Sequence, residues 1–325
     1  MKTILVTGGA GFIGSNFVRL LLGTKADYHV INVDKLTYAG NLSTIDDIMD
    51  HTRHTFVHGD IADATLIEEL FSRSRIDIVV NFAAESHVDR SIEDPSVFVR
   101  SNILGVQILL DAAKRYQIEK FVQISTDEVY GELGETGYFT EQTPLNPSSP
   151  YSASKTSADL LVQAWHRTYG LNTNITRCSN NYGPYQFPEK LIPVMIYKAL
   201  QNTPLPVYGD GSNIRDWIHV YDHNQAVLQI MEHGQSGRVY NIGSSNECSN
   251  LTVVKTILDI LGKPHSLIEF VTDRLGHDWR YAIDARRLRN ELSWTPQYSF
   301  QDGLKQTVDW YLEHQSWWKD LLENQ

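Results

Sequence analysis

The sequence predicts an α/β fold, a doubly wound parallel sheet that carries a smaller mixed α/β substrate lobe. Three observations lead there. Short apolar runs alternate with amphipathic helical segments through Arg177. The first of these runs meets a glycine-spaced turn and then a helix. Beyond Arg177 the segments become shorter, more polar and more aromatic, as in a second lobe.

Taken in order, Thr3-Ile4-Leu5-Val6-Thr7 reads as the first strand and runs into Gly8-Gly9-Ala10-Gly11-Phe12-Ile13-Gly14. The helix that follows sets Ile13, Phe17, Leu20 and Leu21 on one face. Glycines at 8, 11 and 14 permit a tight turn, close backbone approach to a pyrophosphate and tight helix–strand packing. The free N–H groups and positive dipole end of the helix then face phosphates. The second strand, 30–33, ends in Asp34, and Gly14 to Asp34 is a step of 20 residues, suited to adenosine ribose hydroxyls. A carboxylate there repels a 2′-phosphate and favours NAD over NADP, a preference that the neighbouring Lys35 weakens. The third strand, 55–60, sets Asp60 and Ile61 to meet adenine. Residues 76–82 form the near-continuous apolar run of a buried parallel strand. It leads into Ala83-Ala84-Glu85-Ser86-His87, where small residues let a cofactor approach.

The fifth strand, Lys120-Phe121-Val122-Gln123-Ile124, ends in Ser125-Thr126-Asp127-Glu128, where an open α/β sheet presents its ligands. Next, Ser149 caps a helix with Pro150 as its first residue. Ala158, Leu161, Val162, Trp165 and Tyr169 recur at helical spacing until Gly170 stops it. Tyr151 and Lys155 are four apart and share a helix face. A phenol, with a pKa of about 10, is a poor base at neutral pH. An ammonium one turn away favours the phenolate and lowers that value. The tuned tyrosine then takes a hydroxyl proton while the carbinol carbon gives up a hydride. The spacing alone recurs by chance on ordinary helices, so the surrounding motifs carry the argument.

The second lobe opens with Cys178-Ser179-Asn180-Asn181-Tyr182-Gly183-Pro184-Tyr185-Gln186. Residues 215–220 and 239–242 read as strands that return to the first domain, and helices are expected near 188–202, 222–233, 251–262 and 300–314. The expected division is therefore a dinucleotide-binding domain over 1–178, rejoined by segments near 215–243, and a nucleotide-binding lobe over 179–325. Trp310, Trp317 and Trp318 read as packing.

Composition sets bounds. With 325 residues, 42% apolar and 21% charged, the chain can build one large α/β domain and a smaller lobe. A formal net charge of −11 argues against nucleic-acid or anionic-membrane partners. Cys178 and Cys248 make no disulfide framework and are expected as reduced thiols. There is no run of about eighteen apolar residues and no basic-then-apolar leader, so a cytoplasmic protein is expected. His51 and His54 lack a cysteine or acid at ligand spacing, so no metal is expected and both read as exposed.

Gly8-x-x-Gly11-x-x-Gly14, Tyr151-x-x-x-Lys155 and a hydroxyl residue after the fifth strand resemble the extended short-chain dehydrogenase/reductase superfamily. Within its nucleotide-sugar branch, the chain is similar nearly end to end to the dTDP-glucose 4,6-dehydratases. The more specific markers are residues 34–41 (DKLTYAGN), 84–91 (AESHVDRS), 125–131 (STDEVYG), 180–186 (NNYGPYQ), Tyr208-Gly209-Asp210-Gly211 with Arg215-Asp216-Trp217, and 273–278 (DRLGHD). Leu275 stands where the family carries proline.

The resemblance implies a Rossmann domain holding NAD tightly and regenerating it each turnover, and a homodimer acting on dTDP-glucose for rhamnose or another deoxysugar. It implies Tyr151, Lys155, Thr126, Asp127 and Glu128 as catalytic residues. Tyr151 takes the C4 hydroxyl proton, Glu128 the C5 proton, and Asp127 protonates the departing C6 hydroxyl. Thr126 bonds the C4 oxygen, and Lys155 holds the ribose and tunes Tyr151. NAD would be held by Gly8, Gly11, Phe12, Ile13, Gly14, Asp34, Lys35, Asp60, Ile61, Ala83, Ala84, Ser86, Tyr151 and Lys155. The nucleotide sugar would be held by Ser86, His87, Asn180, Lys190, Leu191, Tyr208, Arg215, Asn250, Arg274, His277 and Tyr281.

This chemistry makes a physical demand. Asp127 must be protonated at neutral pH while Glu128 is ionised, a split that two close, desolvated carboxyls can supply. Adjacent strand residues face opposite ways, so the backbone must leave strand geometry at Asp127. The acid pair sets a dehydratase apart from an epimerase or decarboxylase of the same superfamily, and intact Tyr151 and Lys155 argue against a non-catalytic NAD-binding scaffold.

Overall fold

The computed structural model describes residues 1–273 and 278–323. Its strands are, in chain order, β1 (Lys2–Thr7), β2 (Tyr28–Asp34), β3 (His54–His58), β4 (Ile78–Asn81), β5 (Lys120–Thr126) and β6 (Thr173–Cys178). They continue with β7 (Asn180–Tyr182), β8 (Leu205–Tyr208), β9 (Ile214–His219), β10 (Val239–Ile242), β11 (Glu247–Ser249) and β12 (Ile268–Val271). Seven strands form one sheet in the order β10-β6-β5-β4-β1-β2-β3, every pair parallel. The order reverses between β1 and β4, which opens a crevice at the carboxyl ends of the strands.

The apolar runs are continuous because this sheet is covered on both faces. Helices Phe12–Thr24 and Val220–His233 bury Phe17, Leu21, Val227 and Ile230 on one side. Helices Ala64–Arg73, Val106–Arg115 and Pro150–Tyr169 bury Ile67, Leu109, Leu110, Ala158 and Val162 on the other. Each such Val, Leu, Ile or Phe side chain contributes about 1.5–3 kcal/mol. A separate core around Ile192, Met195, Val253, Ile257, Leu304 and Trp318 holds the second lobe.

Residues 239–242 join the large sheet, with Asn241 beside Arg177. Residues 214–219 do not, contrary to expectation: β9 pairs with β7 and β11 in a three-stranded sheet. The free edge of β6 is taken by β10, which leaves β9 to be held by the short strands flanking it. The four helices expected after Arg177 form as Leu191–Leu200, Val220–His233, Asn250–Leu261 and Phe300–Glu313.

One other expectation needs correction. His54 is buried rather than exposed, because β3 turns it inward to meet the Asn32 amide at 3.3 Å. One helical stretch, Ser96–Arg115, is long and apolar enough by length and composition to cross a membrane. Here it packs through Phe98, Val106, Leu109 and Leu110, as an interior helix does, while Val97, Val99 and Leu104 stay exposed.

Candidate active site

A cleft of about 320 Å³ lies where the strand order reverses. Its floor is the glycine turn. Gly8 has φ +72°, and a Cβ there would stand 2.6 Å from the Ala83 nitrogen. A Cβ on Gly14 would stand 2.2 Å from the Gly8 carbonyl oxygen, so the helix starting at Phe12 approaches the turn as only glycine allows. Gly11 caps that helix without a side-chain bond.

Asp34 at the end of β2 accepts the Ala10 N–H at 2.9 Å and the Leu36 N–H at 2.8 Å. Burial raises its pKa, and those two bonds offset only part of the rise. Asp60 behaves oppositely. Burial would raise it, but the Ala62 N–H, Lys35 at 3.0 Å and Arg100 at 3.2 Å hold it below the usual carboxylate range. All the residues expected to hold the cofactor line this one cleft.

At the other end of the cleft, β5 stops at Thr126 and a 3₁₀ turn, Asp127–Tyr130, begins. The Thr126 hydroxyl accepts the Glu128 N–H at 3.2 Å and donates to Asp127 Oδ1 at 3.4 Å. This break in strand geometry lets two adjacent acids line one cleft. Asp127 is buried, and its Oδ2 has no hydrogen-bond partner among the described residues. Its pKa stands well above the ordinary 3.8, first through burial and then through Glu128 and Asp216, with Arg215 opposing.

The facing wall is helix Pro150–Tyr169. A capping box ties Ser149 to Ser152, and Gly170 ends the helix at φ +70°. Tyr151 and Lys155 are both buried against the cleft. Lys155 Nζ donates to the Ile124 carbonyl at 2.6 Å, and burial pulls its pKa down to about 8 against the pull of Asp159 and Cys178. The phenol is not depressed as expected. Burial, followed by the charge of Glu128, raises it well above 10, and the hydrogen bond with Thr126 opposes this only in part. Desolvation dominates, and the ammonium is engaged by a main-chain carbonyl.

Among the expected sugar-nucleotide residues, Ser86, Asn180 and Lys190 line the cleft. Lys190 Nζ bonds the Ser86 carbonyl at 3.1 Å. His87 caps helix Val88–Glu93 and lies 3.7 Å from Glu189. Arg215 is buried with its guanidinium 4.4 Å from the centre of the Tyr281 ring, and donates to the carbonyls of Ile214 and Asp278, both at 2.8 Å. The Tyr281 hydroxyl donates to Asp278 Oδ2. Both side chains border the acid turn, since Arg215 pulls on Asp127 and Glu128 pushes on Tyr281. Leu191, Tyr208 and Asn250 fall outside the cleft lining. Leu191 and Asn250 begin helices, and Tyr208 is exposed at the end of β8. Arg274, Leu275 and His277 lie outside the described residues.

Sequence reasoning missed Glu85, Gln186 and Glu189 in the lining. Glu189 stands 3.8 Å from Arg90, whose guanidinium is 3.8 Å from the centre of the Tyr38 ring. This cluster joins segments that follow β2, β4 and β7, and no spacing within one segment signals it.

The family model described as GDP-mannose 4,6 dehydratase matches residues 5–307. The chain is 51% identical over 341 residues to a dTDP-glucose 4,6-dehydratase of Xanthomonas campestris pv. campestris, covering 99% of this chain and 97% of that protein. It is 52% identical over 343 residues to the one from Neisseria meningitidis serogroup B, covering 99% and 96%. The solved dTDP-glucose 4,6-dehydratase of Bacillus anthracis in complex with NAD superposes with a TM-score of 0.93 at 51% identity, over 99% of this chain and 100% of that one. That of Streptomyces venezuelae, with NAD and dTDP bound, gives 0.95 at 48%, over 98% and 99%. A UDP-glucose 4-epimerase of Thermotoga maritima gives 0.90 at 31%, over 96% and 99%.

Proposed function

The chain belongs to the GDP-mannose 4,6 dehydratase family, and on that footing we propose that it converts dTDP-glucose to dTDP-4-keto-6-deoxyglucose with NAD, a hydro-lyase step that prepares deoxysugar precursors such as that of rhamnose. The observation that carries this reading is the 3₁₀ turn that sets a buried acid, Asp127, beside Glu128 and opposite Tyr151.

The cleft fits NAD: a Cβ at Gly8 would meet the Ala83 backbone and one at Gly14 the Gly8 carbonyl, so only glycines let the turn close tightly enough to cradle a pyrophosphate, and Asp34 fits a ribose diol better than a 2′-phosphate. Bound NAD supplies a hydride acceptor for C4 and, once reduced, a hydride donor for C6. Tyr151 Oη takes the C4 hydroxyl proton, helped by the hydrogen bond to Thr126. Lys155, charged below a pH of about 8, holds the ribose and supplies positive charge beside the phenol. The C4 ketone acidifies the C5 proton, and Glu128 removes it. Asp127, whose pKa is raised by burial and by Glu128 and Asp216, gives its proton to the departing C6 hydroxyl. The low dielectric around both acids strengthens each transfer.

For the nucleotide sugar we assign Ser86, His87, Asn180 and Lys190 near the cleft, Arg215 and Tyr281 beside the acid turn, and Leu191, Tyr208 and Asn250 further out, together with Arg274 and His277 on the family resemblance alone. Residues 1–178 with 220–243 serve NAD, and the remainder after 179 serves the nucleotide. A cytoplasmic homodimer is the proposed assembly. Ile92, Val97, Val99, Leu104 and Leu160 expose apolar surface on helices that pack together, which suits a second copy. An epimerase shares the fold and the Tyr–Lys pair but needs no Asp127–Glu128 acid pair.

The test is to incubate the purified protein with dTDP-glucose and no added NAD, then to read the alkali-induced absorbance of a 4-keto sugar. Product supports the reading and the tightly held cofactor. No product even with NAD supplied overturns the substrate assignment.

A further inference from the structure

Behind the cleft lies a polar network that none of the expected site residues explains. Arg177, on β6, has only 2% of its side chain exposed, and its partner Asp159 has none. Its Nε donates to Asp159 Oδ2 at 2.8 Å, and its Nη1 donates to the Tyr130 hydroxyl at 3.0 Å. The Tyr130 hydroxyl donates in turn to Asn241 Oδ1 at 2.7 Å, and its ring stacks on Phe139 with centroids 5.0 Å apart. A buried ion pair gives little net stability, because desolvation offsets its attraction. Geometry is the better account of why it is there.

Asp159 is one helical turn beyond Lys155, on the helix that carries Tyr151. Tyr130 is the last residue of the turn that carries Asp127 and Glu128. One guanidinium therefore grips both walls of the cleft from behind. We infer that Arg177 is a positioning residue that holds the Tyr151–Lys155 helix and the Asp127–Glu128 turn in register, so that oxidation at C4 and elimination across C5 and C6 act on one sugar pose. A planar fork with fixed donor directions suits this task, which a lysine could not perform. Asp159 also acts on Lys155: it lies one turn along the same helix, the ammonium donates to the Ile124 carbonyl of β5, and of the two charged or ionisable groups that support its charge, Asp159 and Cys178 of β6, Asp159 acts more strongly.

The inference rests on the dehydratase reading, and the experiment separates the two. Tyr130→Phe, Asp159→Asn and the double variant are compared with the unaltered protein in single-turnover reactions. C4 oxidation is read by the absorbance of reduced nicotinamide, and elimination by solvent deuterium entering C5. Tyr130→Phe is expected to slow elimination about tenfold, as sub-ångström misplacement does, with C4 oxidation within about twofold. Asp159→Asn is expected to slow C4 oxidation and move the alkaline limb of its pH profile below about 8, a change that lost packing alone does not produce. The double variant should lose less than the product of the two single losses, since both act through Arg177. Turnover by the unaltered protein, with both steps and the pH limb unchanged in folded single variants, overturns the role of Arg177. No turnover by the unaltered protein removes the dehydratase reading itself, and with it this inference.

Discussion

The Glu128 N–H donates to the Thr126 hydroxyl at 3.2 Å across a single intervening residue, Asp127, whose own carboxyl receives the Thr126 hydroxyl at 3.4 Å. One hydroxyl thus fixes the place where a strand becomes a turn and where two neighbouring acids come to share a cleft.

Asp127→Asn keeps the shape of the side chain and removes its transferable proton. Turnover is expected to fall by about 10²-fold or more, with reduced cofactor and C5-deuterated sugar accumulating. Glu128→Gln should instead abolish deuterium entry at C5 while C4 oxidation persists. Stopped-flow absorbance and mass spectrometry of the quenched sugar distinguish these outcomes. Equal loss of every step in both variants would contradict the division of labour.

Stability should follow the same acid. The raised pKa of Asp127 means that the folded chain holds this proton more tightly than the unfolded chain does. That contribution is complete below the ordinary carboxylate pKa and is lost as pH rises through the folded value. Asp127→Asn is always neutral, so its melting temperature relative to the unaltered protein should be higher at about pH 8 than at about pH 5. A difference independent of pH would place the buried charge elsewhere.

Gly14→Ala sets a methyl group 2.2 Å from the Gly8 carbonyl oxygen. Overpacking of this kind costs about 1–3 kcal/mol, and the shift opens the pyrophosphate cradle. The variant should melt earlier and purify without NAD, as read by the nucleotide released on acid precipitation.

Leu104→Glu charges the exposed apolar face of the stretch Ser96–Arg115. Sedimentation should show the proposed homodimer converted to monomer, with the far-ultraviolet spectrum kept. An unchanged sedimentation coefficient would move the interface elsewhere.

Much of the large sheet was legible in the sequence, because parallel strands buried on both faces leave unbroken apolar runs. The glycine turn was legible because only glycine permits its contacts at positions 8 and 14. Tyr151 and Lys155 were found by helical spacing, yet the direction of the phenol pKa was not, since it depends on how deeply the folded chain desolvates the ring. Arg215 enters through the family resemblance as a nucleotide-sugar residue, and only the fold shows its guanidinium 4.4 Å from the centre of the Tyr281 ring and bonded to main-chain carbonyls. Strands as short as Asn180–Tyr182 are too brief to leave a period, and the pairing of Arg177 with Tyr130 spans 47 residues.

The last strand of the large sheet, β10, joins β6 only after some sixty further residues have been made. On the ribosome, or in a fragment cut after Cys178, the β6 backbone from Ile175 to Cys178 therefore stands without its neighbour. A buried-type strand with an unpaired edge is a template for pairing with other chains. The amino-terminal half, though it carries a complete nucleotide cradle, should thus be a poor free-standing module: sticky when expressed alone and dependent on prompt synthesis of the second half to close its seam.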